Sequence, residues 1–209
     1  MKVEDKAGAR IDAATGGGAR ATEAMLEIIV QGRGGQGAQT AGQMLARAFF
    51  ASGRQVQAFA SYGGARRGTP VSSFIRVAEQ PIRLRCDIER ADAILCFDAS
   101  LLAPPLLSRA DAGTLVVVNS ARPASAFATE LAGYRIVPVD ALAIARSQGL
   151  GRIVNSALIG AIGRVLGAPA LPVLQQVLLA HSPQKAEENA AACALGWEAA
   201  GAHLQEMPQ

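Results

Sequence analysis

The sequence is poor in aromatic residues, in cysteine and in long apolar runs. Aromatic residues make up 4% of the 209 positions, so aliphatic side chains must fill the core, as in helix-covered parallel sheets. The cysteines Cys86, Cys96 and Cys193 lack ligand spacing, which argues against a zinc or iron–sulfur site held by this chain alone. No run is long enough to span a bilayer, and the first residues, which include Glu4 and Asp5, lack the apolar core of a secretory signal. We therefore expect a cytoplasmic protein.

A glycine-rich segment follows the first apolar run. The segment Gly32-Arg33-Gly34-Gly35-Gln36-Gly37 comes directly after Leu26 to Val30 and directly before a stretch of helical periodicity from Ala38 to Phe50. Glycines allow a tight turn and a close approach to an anion, and the helix then directs its unpaired N–H groups and positive dipole end at the ligand. This order predicts a phosphate-binding loop. The alternative for a lone G-x-G-x-x-G motif is a structural turn without a ligand.

Acidic residues are missing from the stretch around this loop. No Asp or Glu occurs between Glu27 and Glu79, whereas an NAD site requires an acid about 20 residues after the motif. Plain NAD is therefore disfavoured. Six arginines fall in the same interval: Arg33, Arg47, Arg54, Arg66, Arg67 and Arg76. Guanidinium groups pair with phosphate oxygens, which favours a ligand with several phosphates, such as coenzyme A or a 2′-phosphorylated nucleotide. The net charge of +3 is too small to indicate nucleic-acid binding.

The rest of the chain alternates short apolar runs with helical periods. Residues 1–23 lack such a pattern, and we interpret them as a flexible or partner-clasping arm before a single domain at 24–204. Predicted strands lie at 26–30, 55–60, 71–78, 82–84, 93–98, 114–119 and 134–139, and predicted helices at 38–50, 100–108, 140–148, 155–166, from Pro172, and 183–202. The strand at 82–84 would form a hairpin with the strand at 71–78. The pattern indicates a three-layer, Rossmann-like α/β domain with a mainly parallel sheet, a small hairpin insertion and a C-terminal helical segment.

Four spaced motifs resemble a known family. They are the glycine segment, Ser61-Tyr62-Gly63 with Arg66-Arg67-Gly68, Pro81-Ile82-Arg83, and Lys185-Ala186-Glu187-Glu188-Asn189. Together they resemble the gamma subunit, or gamma domain, of 2-oxoacid:acceptor oxidoreductases, which include the pyruvate, 2-oxoglutarate, branched-chain, indolepyruvate and phenylglyoxylate members. The similarity covers about Leu26 to Ala202.

The resemblance implies a subunit that is not catalytically competent alone. In the family, the alpha, beta and delta-type partners carry thiamine diphosphate with Mg²⁺ and [4Fe–4S] clusters, and electrons pass to ferredoxin or another acceptor. The acyl group ends on coenzyme A, and the gamma part helps to hold that coenzyme. No catalytic residue and no metal ligand are expected on the present chain.

The resemblance also nominates two loops for the coenzyme. The first comprises Gly32, Arg33, Gly34, Gly35, Gln36 and Gly37, which would line the diphosphate. Arg33 either reaches phosphate or points to solvent or a partner, and Gln36 either bonds phosphate or caps the helix. The second loop comprises Tyr62, Gly63, Arg66 and Arg67, and at most one of its two arginines faces the ligand. Its Gly64-Ala65 replaces a Pro-Glu pair that is frequent in the family.

Other candidates are weaker. Asp98 and Asn119 end strands, where a crevice forms, but helix capping explains Asp98 as well. His181 and His203 lie far in sequence from both loops and lack a nucleophile or orienting acid. Two alternative functions stay open: a stand-alone NADP-dependent reductase, which would lack a Tyr-x-x-x-Lys proton donor, and a purely structural subunit of the same complex.

Overall fold

Six strands form one mixed sheet in the computed structural model, which describes residues 25–62 and 68–206. The strands are β1 (Leu26–Arg33), β2 (Gln55–Tyr62), β3 (Pro70–Ala78), β4 (Ala93–Cys96), β5 (Leu115–Asn119) and β6 (Arg135–Val139). Their order across the sheet is β2-β3-β1-β4-β5-β6. β3 is antiparallel to both of its neighbours, whereas β1, β4, β5 and β6 are parallel. The carboxyl ends of these four parallel strands therefore share one edge.

Helices cover both faces of this sheet. They are α1 (Ala38–Ala51), α2 (Pro104–Leu107), α3 (Ala124–Glu130), α4 (Ala141–Ser147), α5 (Asn155–Leu166), α6 (Leu171–His181) and α7 (Ala186–Glu206), with a single 3₁₀ turn at Ala99–Leu101. Successive β1 side chains alternate between the faces. Ile28 and Val30 pack in a core with α1, α4, α5, α6 and α7, whereas Ile29 packs in a second core with α2 and α3. This arrangement confirms the predicted three-layer α/β class. Within the described residues, no helix is both long and apolar enough to cross a membrane.

The C-terminal helices α5 and α7 pack with their backbones in close approach. A Cβ atom added to Gly160 would lie 1.9 Å from the carbonyl oxygen of Cys193, and one added to Gly196 would lie 1.9 Å from that of Ala157. Glycine is required at both positions because the space for a methyl group is already filled by the other helix. The contact fixes α5, whose first residues line the site described below.

The predicted hairpin at 82–84 is wrong. β3 already pairs with β1 on one side and β2 on the other, so no free edge is left for a third partner. The segment instead follows β3 without strand pairing, and the Gln57 amide donates to the carbonyl of Leu84 at 2.7 Å. The consecutive strands that pair antiparallel, in place of the predicted hairpin, are β2 and β3.

Two helix predictions also need correction. The helix expected at 100–108 is divided into the 3₁₀ turn and α2, because Ala103 before Pro104 adopts an extended conformation. Helix α3 was not predicted; it begins after Pro123 without a side-chain cap. The arm predicted at 1–23 lies outside the described residues.

Candidate functional site

The glycine segment forms the turn between β1 and α1 at the carboxyl edge of the sheet. Gly35 and Gly37 have φ angles of 93° and 85°, which L side chains rarely adopt. Gly32 is tightly packed, since an added Cβ would lie 2.7 Å from the Cβ of Ala38. Gly37 is the N-terminal boundary residue of α1, and no side chain of a described residue caps that helix. The strand, turn and helix therefore have the predicted arrangement.

Not every N–H group of the loop is available to a ligand. The Gly34 N–H donates to the carbonyl of Thr69 at 2.9 Å, and the Gln36 N–H donates to that of Arg33 at 3.0 Å. These two N–H groups are therefore occupied within the chain, and the contact of the loop with a phosphate stays a prediction. Among the described residues, the N–H groups of Gly35 and Gly37 have no acceptor. They are the loop's candidate anion donors, together with the dipole of α1.

Arg33 and Gln36 hold the loop together. The Arg33 guanidinium donates to Asp98 from Nε at 2.8 Å and to the Ser100 hydroxyl at 2.7 Å. Gln36 does not cap α1: its side-chain oxygen accepts from the Arg33 N–H at 2.7 Å. The Arg33 side chain is 36% exposed, so a role toward a ligand stays a prediction.

Asp98 both caps the 3₁₀ turn and pairs with Arg33. Its side chain accepts from the Ser100 N–H at 3.0 Å and from the Ser100 hydroxyl at 2.6 Å. Partial burial acts to raise the pKa of Asp98, but the hydrogen bonds from Ser100 and Arg33 outweigh it and hold the pKa below its usual value. Asp98 is therefore an anion whose charge is already satisfied within the chain.

The end of the second loop contacts the first. The Gly68 N–H donates to the carbonyl of Gly34, and the Gly68 carbonyl accepts from Arg33, both at 3.3 Å. Tyr62 ends β2 and pairs in register with Val71, which in turn pairs with Gly32. Gly63, Gly64, Ala65, Arg66 and Arg67 lie outside the described residues, and so does the side chain of Tyr62. Their proposed contacts with a ligand stay predictions.

Three arginines of the acid-free stretch pair with carboxylates of the chain and are therefore less available to a ligand than the sequence indicates. Arg76 is 1% exposed and donates to Glu27 at 2.7 Å, as well as to the carbonyls of Cys86 and Asp87. Arg54 pairs with Glu79, and Arg33 pairs with Asp98. The acids that neutralise these arginines lie outside the acid-free stretch in the sequence, but the fold brings them into contact with the arginines. Counting charge along the chain therefore overstated the positive charge available to a ligand.

Within the part of the chain that the structure describes, two cavities flank the glycine loop. One of about 470 Å³ lies at the carboxyl edge of the sheet and is lined by Gly34, Gly35, Gln36, Phe97, Asn119, Leu142, Arg146, Arg152 and Val154. The other, of about 510 Å³, lies between α1, α5 and the chain before α7; its lining includes Gly35, Gln36, Gly37, Thr40, Met44, Arg152, Asn155, Ser156, Ile159, Leu178, Gln184 and Asn189. The two share Gly35, Gln36 and Arg152. We call them the edge cavity and the helix cavity.

The C-terminal motif reaches the helix cavity through Asn189. Its side-chain oxygen accepts from the Ser156 hydroxyl at 2.5 Å, and its amide donates to the carbonyl of Lys185 at 2.8 Å. The neighbouring Asn155 donates to the carbonyl of Gly37 at 3.3 Å. Sequence reasoning used this motif only as a sign of resemblance. In the structure it fixes the start of α5 beside the glycine loop.

The remaining candidates either lie away from the glycine loop or are unreactive at neutral pH. His181 lines a separate cavity of about 370 Å³ beside Arg47, and His203 lies in the last turn of α7. Burial raises the pKa of the Cys96 and Cys193 thiols to about 12, so both stay protonated at neutral pH. Within the two described ranges, no three His, Cys, Asp or Glu residues form a group able to hold a metal ion.

Sequence reasoning missed Arg146 and Arg152. Neither belongs to a glycine motif, and more than a hundred residues separate them from the loop along the chain. The available signal was positional, since both follow β6, whose carboxyl end lies at the same sheet edge as that of β1.

Known proteins similar to this chain are subunits of oxidoreductases. The family model described as pyruvate ferredoxin/flavodoxin oxidoreductase matches residues 27–199. Pyruvate synthase subunit PorC of Methanothermobacter marburgensis is 36% identical over 177 residues, which cover 83% of this chain and 97% of the relative. The pyruvate/ketoisovalerate oxidoreductases common subunit gamma of Thermococcus kodakarensis is 36% identical over 157 residues, covering 74% and 85%.

Solved structures give the same result. The crystal structure of pyruvate oxidoreductase subunit PORC from Thermotoga maritima superposes with a TM-score of 0.72 at 32% identity, covering 83% of this chain and 96% of that one. A 2-oxoglutarate:ferredoxin oxidoreductase from Magnetococcus marinus shares the fold, with a TM-score of 0.65 at 21% identity over 88% of this chain and 32% of its own length. The chain therefore belongs to the pyruvate ferredoxin/flavodoxin oxidoreductase family, as a subunit of the gamma type.

Proposed function

We propose that this chain is the gamma subunit of a complex that oxidatively decarboxylates a 2-oxoacid with coenzyme A, giving acyl-CoA, CO₂ and a reduced acceptor such as ferredoxin. In this proposal the chain supplies the loop that binds the coenzyme's phosphates, together with subunit interfaces. The names of the relatives specify pyruvate and ketoisovalerate, both of which are 2-oxoacids.

One observation carries the coenzyme role: the unbonded N–H groups of Gly35 and Gly37 precede an uncapped helix, and Gly35 borders both cavities while Gly37 borders the helix cavity. A diphosphate needs several fixed donors and a positive field, and this arrangement supplies both without a side chain having to move. Glycine tolerates the positive φ angle found at both positions, and it has no Cβ atom that would obstruct the approaching oxygen atoms.

The redox chemistry is proposed to lie on other subunits. Thiamine diphosphate with Mg²⁺ and [4Fe–4S] clusters would be held by alpha, beta and delta-type partners. Cluster ligation requires several thiolates in spaced motifs, whereas two of the three cysteines here are separate, buried and protonated. The chain's own contribution is to bind and orient the coenzyme so that its thiol reaches the acyl group formed on a partner.

Affinity purification tests the assembly. The chain is tagged at the C-terminus in its native host and isolated under mild conditions. We expect it to bring down larger subunits that contain thiamine diphosphate and iron, and the isolated complex to reduce an acceptor only when a 2-oxoacid and coenzyme A are both present. Recovery of the chain alone, or oxidation of the 2-oxoacid that does not depend on coenzyme A, would contradict the proposal.

A further inference from the structure

We propose that Arg146 and Arg152 form the cationic wall of the phosphate site, opposite the glycine loop. This inference rests on the proposed function, because it names the residues that complete the same site. Both side chains line the edge cavity together with Gly34, Gly35 and Gln36. Neither was assigned a role by motif or by resemblance.

The backbone that carries the two arginines is firmly held. Arg146 lies in the last turn of α4, and Arg152 lies in the short connection to α5. In that connection the Leu150 N–H donates to the carbonyl of Ala145 at 2.8 Å, and the Lys185 ammonium group donates to the carbonyl of Gly149. Leu150 and Val154 are 4% and 7% exposed, so the connection is anchored in the core at both ends.

The two guanidinium groups lack a counter-charge within the described residues. Arg33, Arg54 and Arg76 each pair with a carboxylate, whereas Arg146 and Arg152 have no ion pair or hydrogen-bond partner there. Among the residues that the structure describes, none that lines the edge cavity is acidic. A concave surface with two unpaired positive charges attracts anions and concentrates them.

Phosphate is the anion that fits this combination. Guanidinium groups bind phosphate oxygens through paired, charge-assisted hydrogen bonds, and Gly35, whose N–H group has no acceptor among the described residues, lines the same cavity from the loop side. The helix cavity has a different chemistry, with Met44, Ile159 and Leu178 in its wall, and Arg152 is the one cationic residue among the described residues that line it. The diphosphate of the coenzyme therefore belongs on the Arg146 side of the loop.

Kinetics of the assembled complex test the assignment. Complexes containing Arg146→Gln, Arg152→Gln and the double substitution are compared with wild type and with Arg135→Gln. Arg135 is a matched control because it is exposed and begins β6, at the opposite edge of the sheet. We expect each single substitution to raise KM for coenzyme A about tenfold, and the double substitution to raise it further, since hydrogen bonds to charged groups make contributions of this size. KM for the 2-oxoacid and the Arg135→Gln complex should stay at wild-type values.

A conservative substitution separates charge from shape. Arg152→Lys keeps the positive charge but loses the planar fork, so its KM for coenzyme A should lie between those of wild type and Arg152→Gln. Co-purification of all subunits shows that each variant has assembled. A KM for coenzyme A within twofold of wild type in the assembled double variant would overturn the inference.

A Gly35→Ala complex measured in parallel separates this inference from the proposed function. If Gly35→Ala raises KM for coenzyme A and the arginine substitutions do not, the loop binds the coenzyme without these arginines, and only the inference fails. If none of the substitutions changes KM, the proposed coenzyme role of the chain fails as well.

Discussion

At the scale of single residues, Asp98 receives hydrogen bonds from both sides of the edge where β1 and β4 end. Arg33 approaches from the glycine loop, and Ser100 approaches from the 3₁₀ turn. The Cys96 thiol also donates to the backbone carbonyl of Asp98 at 3.1 Å. Asp98 therefore couples the loop after β1 to the chain after β4.

Replacement of Asp98 by Asn should destabilise the purified chain by about 1 kcal/mol near neutral pH. The figure is modest because the ion pair with Arg33 is partly solvated. The folded-state pKa of Asp98 lies below its unfolded value, so its contribution is fully present above roughly pH 4 and is lost as pH falls through the folded pKa. Urea unfolding at pH 7 and pH 3 should show the difference between wild type and Asp98→Asn narrowing in acid.

Asp140→Asn provides the control for this measurement. Asp140 caps α4 by accepting from the Ala143 N–H at 2.8 Å, and Asn caps helices about as well as Asp. The control should lose only a few tenths of a kcal/mol. A difference between wild type and Asp98→Asn that is the same at both pH values would contradict the role assigned to the Asp98 charge.

At the scale of elements, the α5–α7 contact sets the position of α5, whose first residues line the helix cavity. Gly196 and Gly201 both lie in α7, but their surroundings differ. A Cβ on Gly196 would overlap the backbone of α5, whereas one on Gly201 would meet the movable end of the Arg164 side chain at 2.9 Å. We expect Gly196→Ala to destabilise the chain by about 3 kcal/mol or more, through overpacking against a backbone that cannot yield.

Gly201→Ala should stay within about 1 kcal/mol of wild type, because alanine favours helix and Arg164 can shift. Thermal unfolding of the two purified variants distinguishes them. Equal destabilisation by both substitutions would show that the close helix contact is not the cause.

The elements differ in how far the sequence predicts them. Helices α1 and α5 begin at the predicted residues, Ala38 and Asn155, because their apolar spacing is regular. The position of β3 between β1 and β2 is a feature of the topology, and no local sequence pattern indicates it. The sequence therefore predicts the hairpin in the wrong place. The glycine loop is a contiguous motif and can therefore be predicted from the sequence. Arg146 and Arg152 are distant from it along the chain, so only the folded sheet shows that they lie beside it.

At the scale of the whole molecule, we propose that the chain provides one wall of a site whose chemistry occurs on partner subunits. The curated relative from Methanothermobacter marburgensis matches over 97% of its length, so the similarity describes a complete subunit of that protein. The aligned Magnetococcus marinus chain is about three times as long as its matched part, so the same fold also occurs as one section of a larger chain. Both arrangements agree with a fold that works beside other catalytic units.

A matched pair of glycines shows whether the glycine loop holds the coenzyme. Gly35 and Gly133 both have a φ of 93°, and a Cβ on either would have no heavy atom within 4 Å. Alanine at either position therefore carries a similar backbone cost of about 1 kcal/mol. Gly35 lines both cavities, whereas Gly133 precedes β6 at the opposite edge of the sheet.

KM for coenzyme A is measured in complexes assembled with Gly35→Ala or with Gly133→Ala. We expect a rise of about tenfold or more for Gly35→Ala, because the methyl group keeps phosphate away from the loop N–H groups, and a wild-type KM for Gly133→Ala. Equal KM values in the two complexes would contradict the claim and leave the loop as a structural turn.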